Sequence, residues 1–254
     1  MNTKIITFAN HKGGVGKTTT TASVGSVLAS KGKKVLLIDL DAQSNLTTSL
    51  YPDKEEDIEV TVYDALTKNQ ELPIVKISEY LDLVPASLQL AMADIELSQK
   101  ICRETILRDL IDSVKEKYDF VLIDTPPSLG LLTLNAFAAS TQIIIPLKPE
   151  TLPYKGLETL FTFLRPVQQK INKKAHVTGI LITQKEHGNL PMLIENGLRA
   201  KPNLHVFSTV IRKNIRLAEA PAEKQSIIYY DPKCNGTLDY TTFTDELLAY
   251  LHEK

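Results

Sequence analysis

Cysteine is almost missing from this chain: Cys102 and Cys234 are the only two in 254 residues. Their separation matches no metal-ligand spacing, which argues against a disulfide scaffold or an iron–sulfur site and fits a reducing cytoplasm. The five histidines, His11 and His187 among them, have no ligand spacing either. No apolar run approaches the ~18–20 residues that a membrane-spanning helix requires. Strand-like sequence begins within the first few residues, so no room for a secretory signal is expected. A strong net charge is lacking as well, the balance being −1. The distribution of charge is less even. Residues 165–224 hold eleven Lys/Arg against four Asp/Glu, a local +7 that leaves −8 for the remainder. That asymmetry points to an anionic partner for the C-terminal half, with a solvated basic face as the alternative. A hydrophobic content of 43% and a charged content of 23% are ordinary for a globular protein. The length suffices for one large α/β domain, residues 1–254.

What the sequence does contain is the stretch Asn10-His11-Lys12-Gly13-Gly14-Val15-Gly16-Lys17-Thr18-Thr19-Thr20. The apolar run before it, residues 5–9, reads as a short buried strand. Residues 21–31, with Val24, Val27 and Leu28 on one face, read as a helix. Strand, glycine-rich turn and helix form the context of a phosphate-binding loop. Glycines let backbone N–H groups approach an anion, and the helix N-terminus adds its orphan donors. Residues 12–19 are therefore the expected nucleotide cradle. Lys17 is placed to reach the β/γ-phosphates and the Thr18 hydroxyl to ligate Mg²⁺. The general pattern asks for glycine five residues before Gly16, where this chain has His11. In exchange it has a second lysine, Lys12, at the loop entrance. From there Lys12 is placed to reach phosphate across an interface, as an arginine finger supplied in trans does.

Two further stretches end in carboxylates. Residues 34–39 begin a second strand, continuously apolar over 35–38 as in a strand buried on both faces, and Asp39-Leu40-Asp41-Ala42-Gln43 closes it. Residues 120–123 are apolar, and Asp124-Thr125-Pro126-Pro127-Ser128 follows. In a doubly wound sheet the C-terminal strand ends line the ligand crevice, so Asp39, Asp41 and Asp124 are expected beside the phosphate loop. Asp124 reads as a Mg²⁺ carboxylate. Asp41 has an alternative reading as a helix N-cap. Strands alternate with helices along the chain, which implies a doubly wound α/β fold with a mostly parallel sheet flanked by helices. Residues 50–76 are irregular, with an acidic run at 53–59 and a short helix from Val62. Residues 81–85, 142–147 and 177–183 read as strands. Residues 88–96, 104–117, 131–139, 155–171 and 240–254 read as helices.

The K-G-G-V-G-K-T loop resembles the deviant Walker A box of the ParA/MinD family of P-loop ATPases. The D-L-D-A-Q-S-N and D-T-P-P-S segments resemble that family's two switch regions. The resemblance covers nearly the whole chain and is weakest over residues 50–80. It implies that ATP and Mg²⁺ are the cofactors and that two subunits dimerise around ATP. Lys12 is then the signature lysine serving the partner's nucleotide and Lys17 the ordinary Walker lysine. Asp39 lies near the magnesium shell with Thr18 and Asp124, and Asp41 positions the attacking water.

Residues 206–221 resemble the Soj/ParA branch, which typically reads T-V-I-P-R-N-V-R-L-A-E-A-P. Arg212 stands at the usual proline position and Lys213 at the usual arginine; Asn214, Arg216 and L-A-E-A-P match. The resemblance implies that Asn214 and Gln184 lie near the base. It also implies that Arg212, Lys213 and Arg216 contact nonspecific duplex DNA in an ATP-bridged homodimer. A buried ion pair, with Glu219 one turn on, is the alternative for Arg216. A ParB-like centromere-binding partner that stimulates hydrolysis is implied too, with a cytoplasmic location and nucleoid association in the ATP state. MinD relatives end in a basic amphipathic membrane helix, whereas this tail carries Asp245, Glu246 and Glu253. Core packing and no membrane are therefore expected. The rival readings are a MinD-like positioning ATPase and a metabolic or assembly ATPase of the same superfamily.

Overall fold

The computed structural model describes residues 3–53, 57–150 and 153–252. Residues 54–56 of the acidic run, and Glu253 with Lys254 of the tail, lie outside them. The apolar runs form the strands of one eight-stranded sheet. In chain order these are β1 (Lys4–Phe8), β2 (Val35–Asp39), β3 (Val75–Lys76), β4 (Leu81–Val84), β5 (Phe120–Asp124), β6 (Gln142–Leu147), β7 (His176–Lys185) and β8 (Val206–Arg212). Their spatial order is β3-β4-β2-β5-β1-β6-β7-β8, parallel throughout except for the short β3. Strands β2, β5 and β6 are buried at every position, which explains why they read as unbroken apolar runs.

Helices cover both faces. On one, α1 (Lys17–Ser30) packs with the last helix of the chain, Asn235–His252, against Leu37, Leu122 and Phe207 of the sheet. On the other lie α3 (Val62–Lys68), α4 (Ala93–Leu97), α5 (Ile106–Asp112) and α6 (Leu131–Ala139), which close over Leu36, Ile38 and Ile123. Helix α2 (Asn45–Leu50) precedes them in the chain, and a 3₁₀ turn (Leu88–Met92) leads into α4. Helices α7 (Pro153–Lys170) and α8 (Asn189–Arg199) extend the second layer over Ile143, Ile145 and Ile180. Two short helices, α9 (Arg216–Glu219) and α10 (Ile227–Tyr230), connect β8 to the last helix, α11.

Sequence expectations differ from the structure in a few places. The helix expected over 104–117 is α5 followed by a separate 3₁₀ turn, Lys115–Lys117. The irregular 50–76 region contains the edge strand β3 beside α3. Helices α2 and α8 have no counterpart in the sequence reading. The C-terminal helix begins five residues earlier than expected, and it packs in the core. Tyr240, Phe243, Leu247 and Leu251 are buried, and Phe243 meets Phe207 edge-on at 5.0 Å between ring centroids. Glu246 accepts backbone N–H groups of Ser208 (2.6 Å) and Thr209 (2.8 Å), so this acid pins α11 to the edge strand β8. Among the described residues no helix is long and apolar enough to cross a membrane.

Helix α1 approaches the sheet closely at Gly25, where an added Cβ would lie 2.6 Å from Leu37 Cδ2. Gly25→Val is therefore expected to cost at least ~2 kcal/mol by overpacking, lowering Tm by about 4–8 °C. A calorimetric melt of the nucleotide-free protein measures it, and an unchanged Tm would contradict the close packing.

Candidate functional site

Strand β1 delivers the chain into the glycine loop at the C-terminal edge of the sheet. Asn10 is buried there and sets the entrance: its Nδ2 donates to Pro146 O (2.8 Å) and its Oδ1 accepts the Lys12 N–H (3.0 Å). Gly14 (φ 69°) and Gly16 (φ 85°) adopt left-handed backbone that a side chain would strain. Two side chains from the end of β7 fix the loop from outside. Thr183 Oγ1 donates to Val15 O (2.7 Å), and Gln184 Nε2 donates to Gly14 O (2.6 Å). The carbonyls thus face protein, and the N–H groups of residues 13–16 find no acceptor among the described residues. Such a nest of free donors at a helix start binds an anion.

Lys17 is buried, and its Nζ reaches back over the loop to Lys12 O (3.5 Å). Burial pushes its ammonium below the ordinary lysine value, against the opposing pull of Asp124 and then Asp41. Thr18 Oγ1 donates to Asp124 Oδ2 (2.6 Å). Asp39 and Asp124 are register partners on β2 and β5, and neither is reached by solvent. Burial raises Asp39 to about 6 even though the Thr47 N–H and hydroxyl both donate to its Oδ2. Asp124 is raised to about 8, first by burial and then by the charge of Asp39. Asp41 lines the cleft; its Oδ1 accepts the Gln43 N–H (3.0 Å) in a turn, while Ser44 occupies the N-cap of α2. The N-cap alternative for Asp41 is thereby removed.

The cleft so formed has a volume of about 540 Å³ and runs from the loop past Asp41 towards Leu217 and Ala218. A second recess of about 370 Å³ adjoins it, with Thr19, Gln184, Ile211 and Asn214 in its walls. Its size and apolar floor suit a planar base. The donor set at the phosphate end, one hydroxyl and buried carboxylates, consists of hard oxygens and fits Mg²⁺. Among the described residues no three acid, His or Cys side chains converge on one point. A hard cation held here would therefore take one or two protein ligands and complete its shell from phosphate and water, as Mg²⁺ does.

Lys12 does not join this group. Its Nζ lies 2.5 Å from Glu150 Oε1, beyond β6, and the side chain is 48% exposed. The three cations at and just beyond the end of β8 are each paired. Arg212 forks onto Asp239 (2.6 Å and 3.0 Å), Lys213 meets Glu186 (2.6 Å), and Arg216 meets Glu219 (2.7 Å) and Asp231 (3.6 Å). Arg216 thus has the Glu219 partner of the alternative reading, but at the surface and not buried, its side chain being 49% exposed. Asn214 Oδ1 accepts the Arg216 N–H (2.9 Å). The sequence reading missed Thr47, Asn10 and Thr183, which hold the site from behind. No local pattern marks them, because each is tied in part to a segment far along the chain: Asn10 to Pro146, Thr47 to Ala86 and Thr183 to Val15.

Comparisons with known proteins agree with this geometry. A sequence family described as an AAA domain matches residues 3–177. The chain is 42% identical over 250 residues to the sporulation initiation inhibitor protein Soj of Bacillus subtilis, covering 97% of this chain and 98% of that protein. The crystal structure of a Mycobacterium smegmatis cobyrinic acid a,c-diamide synthase with bound ADP and magnesium superposes with a TM-score of 0.86. Its identity is 32%, with 98% of this chain and 96% of that one covered. A putative plasmid partition protein of Borrelia burgdorferi, bound to AMPPNP, gives a TM-score of 0.82 at 27% identity, with 99% of each chain covered.

Because the folded state holds the Asp39 and Asp124 protons more tightly than the unfolded chain does, their contribution to stability falls as pH rises from about 4 to about 8. Asp124→Asn is expected to flatten that slope. It should raise the Tm of the nucleotide-free protein by about 2–4 °C, for on the order of 1 kcal/mol, while weakening Mg²⁺-dependent nucleotide binding. Thermal melts across pH measure both, and a variant that melts lower at pH 8 would contradict the electrostatic reading.

Proposed function

The chain belongs to the ParA/Soj-type partition ATPases, and on that premise we propose that it is an ATP-hydrolysing dimerisation switch for DNA segregation. ATP with Mg²⁺ occupies the cleft, the phosphates on the N–H nest and the base in the recess beside Gln184 and Asn214. When bound, Mg²⁺ neutralises charge on the β- and γ-phosphates, held by the Thr18 hydroxyl and Asp124, with Asp39 behind them. Lys17 adds positive charge from within the same subunit. Asp41 orients the attacking water, and the gain over solution comes from position and charge neutralisation.

The observation that carries the dimer reading is Lys12. Its ammonium sits on Glu150, half exposed and turned away from its own cleft, although its backbone forms the loop entrance. A lysine so placed serves a nucleotide held by a second subunit. A partition role is favoured over a biosynthetic one by the 38% identity to the chromosome partitioning protein ParA of Myxococcus xanthus, over 96% of this chain and 88% of that protein, against 32% to the synthase. A membrane role has no support in α11, whose Tyr240, Phe243, Leu247 and Leu251 are spent on the core.

The dimer presents Lys213 and Arg216 to duplex DNA. Both are exposed ion pairs of the kind worth ~0–1 kcal/mol, which phosphate can readily displace. Arg212 contributes less, because its fork and its backbone N–H are committed to Asp239, which is largely buried. A ParB-like partner stimulates hydrolysis, and the protein is cytoplasmic, joining the nucleoid when ATP-bound.

The test is binding of Asp41→Ala protein, expected to retain ATP, to nonspecific duplex DNA and to anionic liposomes, with ATP or ADP across a salt series. DNA binding with ATP alone, weakening steeply with salt, is expected. Lys213→Ala and Arg216→Ala should each lower affinity several-fold and reduce the salt slope by about 1. Arg212→Ala should chiefly lower Tm. Lys12→Ala is expected to bind nucleotide as a monomer without hydrolysing it. Liposome binding without DNA binding would overturn the proposal.

A further inference from the structure

The loop that carries Lys12 borders a second hollow. It holds about 290 Å³ and lies between the start of the glycine loop, the end of β6 and the N-terminal turns of α7. None of its lining residues lines the nucleotide cleft or the base recess. Helix α7 seats closely on the loop here, since a Cβ on Gly156 would lie 2.8 Å from His11 Cε1. Nδ1 of that ring is buried with no hydrogen-bond partner, an unspent polar group in the wall.

Charge in this hollow is one-sided. Lys12, Lys148 and Lys155 line it, and Glu150 is the one acid among the lining residues. That carboxylate is already shared: Oε1 meets Lys12 Nζ at 2.5 Å and Oε2 meets Lys148 Nζ at 3.3 Å. The two lysines, Lys12 foremost, hold it below the usual glutamate range. Glu186 also feels the charge of Lys148, but it is paired with Lys213 at 2.6 Å. Among the described residues the Lys155 ammonium has no ion-pair partner. Three ammonium groups around one carboxylate leave an excess of positive charge that no protein group offsets.

We propose that this hollow binds a small oxyanion of phosphate size, held by Lys148 and Lys155, and that the bound anion keeps Lys12 at Glu150 on its own subunit. Lysine presents a compact point charge on a flexible stem, which suits a phosphate. The volume falls just below the ~300–1,000 Å³ of sites for drug-sized ligands, so an ion fits it better than a second nucleotide. Inorganic phosphate has the size and charge, and the hydrolysis proposed above would release it in the neighbouring cleft. The link to Lys12 rests on the nucleotide-bridged dimer of that proposal. An anion here draws Lys148 off Glu150 and leaves the carboxylate to Lys12. Its own charge also opposes the departure of Lys12 towards a second subunit. By linkage, phosphate weakens the ATP dimer and the dimer weakens phosphate binding by the same factor.

The experiment titrates inorganic phosphate into protein saturated with ADP and Mg²⁺, by calorimetry at fixed ionic strength. Binding of one phosphate per subunit is expected. Lys148→Ala/Lys155→Ala should weaken it at least tenfold, whereas Lys148→Arg/Lys155→Arg, which keeps the charge, should stay within threefold of the parent. Tm and ADP affinity should match the parent in both variants, since neither side chain is buried. Absence of binding overturns the inference. Equal binding in the alanine variant also overturns it, by placing the anion in the nucleotide cleft. Analytical ultracentrifugation of Asp41→Ala protein with ATP and Mg²⁺ then tests the link. Phosphate should raise the dimer dissociation constant at least threefold in that background and leave it unchanged once both lysines are alanine. No rise, or an equal rise in both, overturns the link. A parent that stays monomeric with ATP overturns the dimer reading, while the anion site stands on its own titration.

Discussion

Two carboxylates buried side by side constrain everything else at this site. Asp39 and Asp124 end neighbouring parallel strands in register, with no access to solvent. A buried carboxylate costs several kcal/mol, and a second beside it adds repulsion. The surroundings offset part of this through Thr47, Thr18 and Lys17, yet both carboxyls stay above their usual range. What the pocket lacks is positive charge, and what the loop beside it lacks is an anion. A Mg²⁺–nucleotide complex supplies both at once, to dipoles already oriented, so little reorganisation accompanies binding.

That arrangement was legible in the sequence because its parts are local. The glycine loop is contiguous, and each carboxylate closes an apolar run whose unbroken character reflects burial on both faces. The missed helices lacked such signals. Asn45–Leu50 contains two threonines and a serine, which favour other conformations, and it is held by tertiary contact. Asn189–Arg199 carries Pro191 and Gly197, which mask its period. The direction of Lys12 could not be read either. Its partner, Glu150, lies more than a hundred residues away and is brought near only because β6 lies beside β1.

Charge shows the same division between composition and contact. The local excess of positive residues over 165–224 is real, yet much of it is spent within the fold. Arg199 and Lys185 share Glu195, and Arg212 is committed to Asp239. A count of residues therefore overstates the field that a polyanion meets. The exposed pairs after β8 are free to exchange partners.

One contact spans almost the whole chain. The Tyr240 hydroxyl, buried in α11, meets Thr20 Oγ1 at 3.0 Å on the first turns of α1, directly behind the phosphate loop. The two helices cover the same sheet face, and the core under α1 stays open until α11 docks. On a ribosome the phosphate loop is made well before its supporting helix. The loop's final rigidity is therefore acquired only after α11 has left the exit tunnel. Nascent chains carry the motif without the finished site, and premature truncation removes the support that holds the loop in shape.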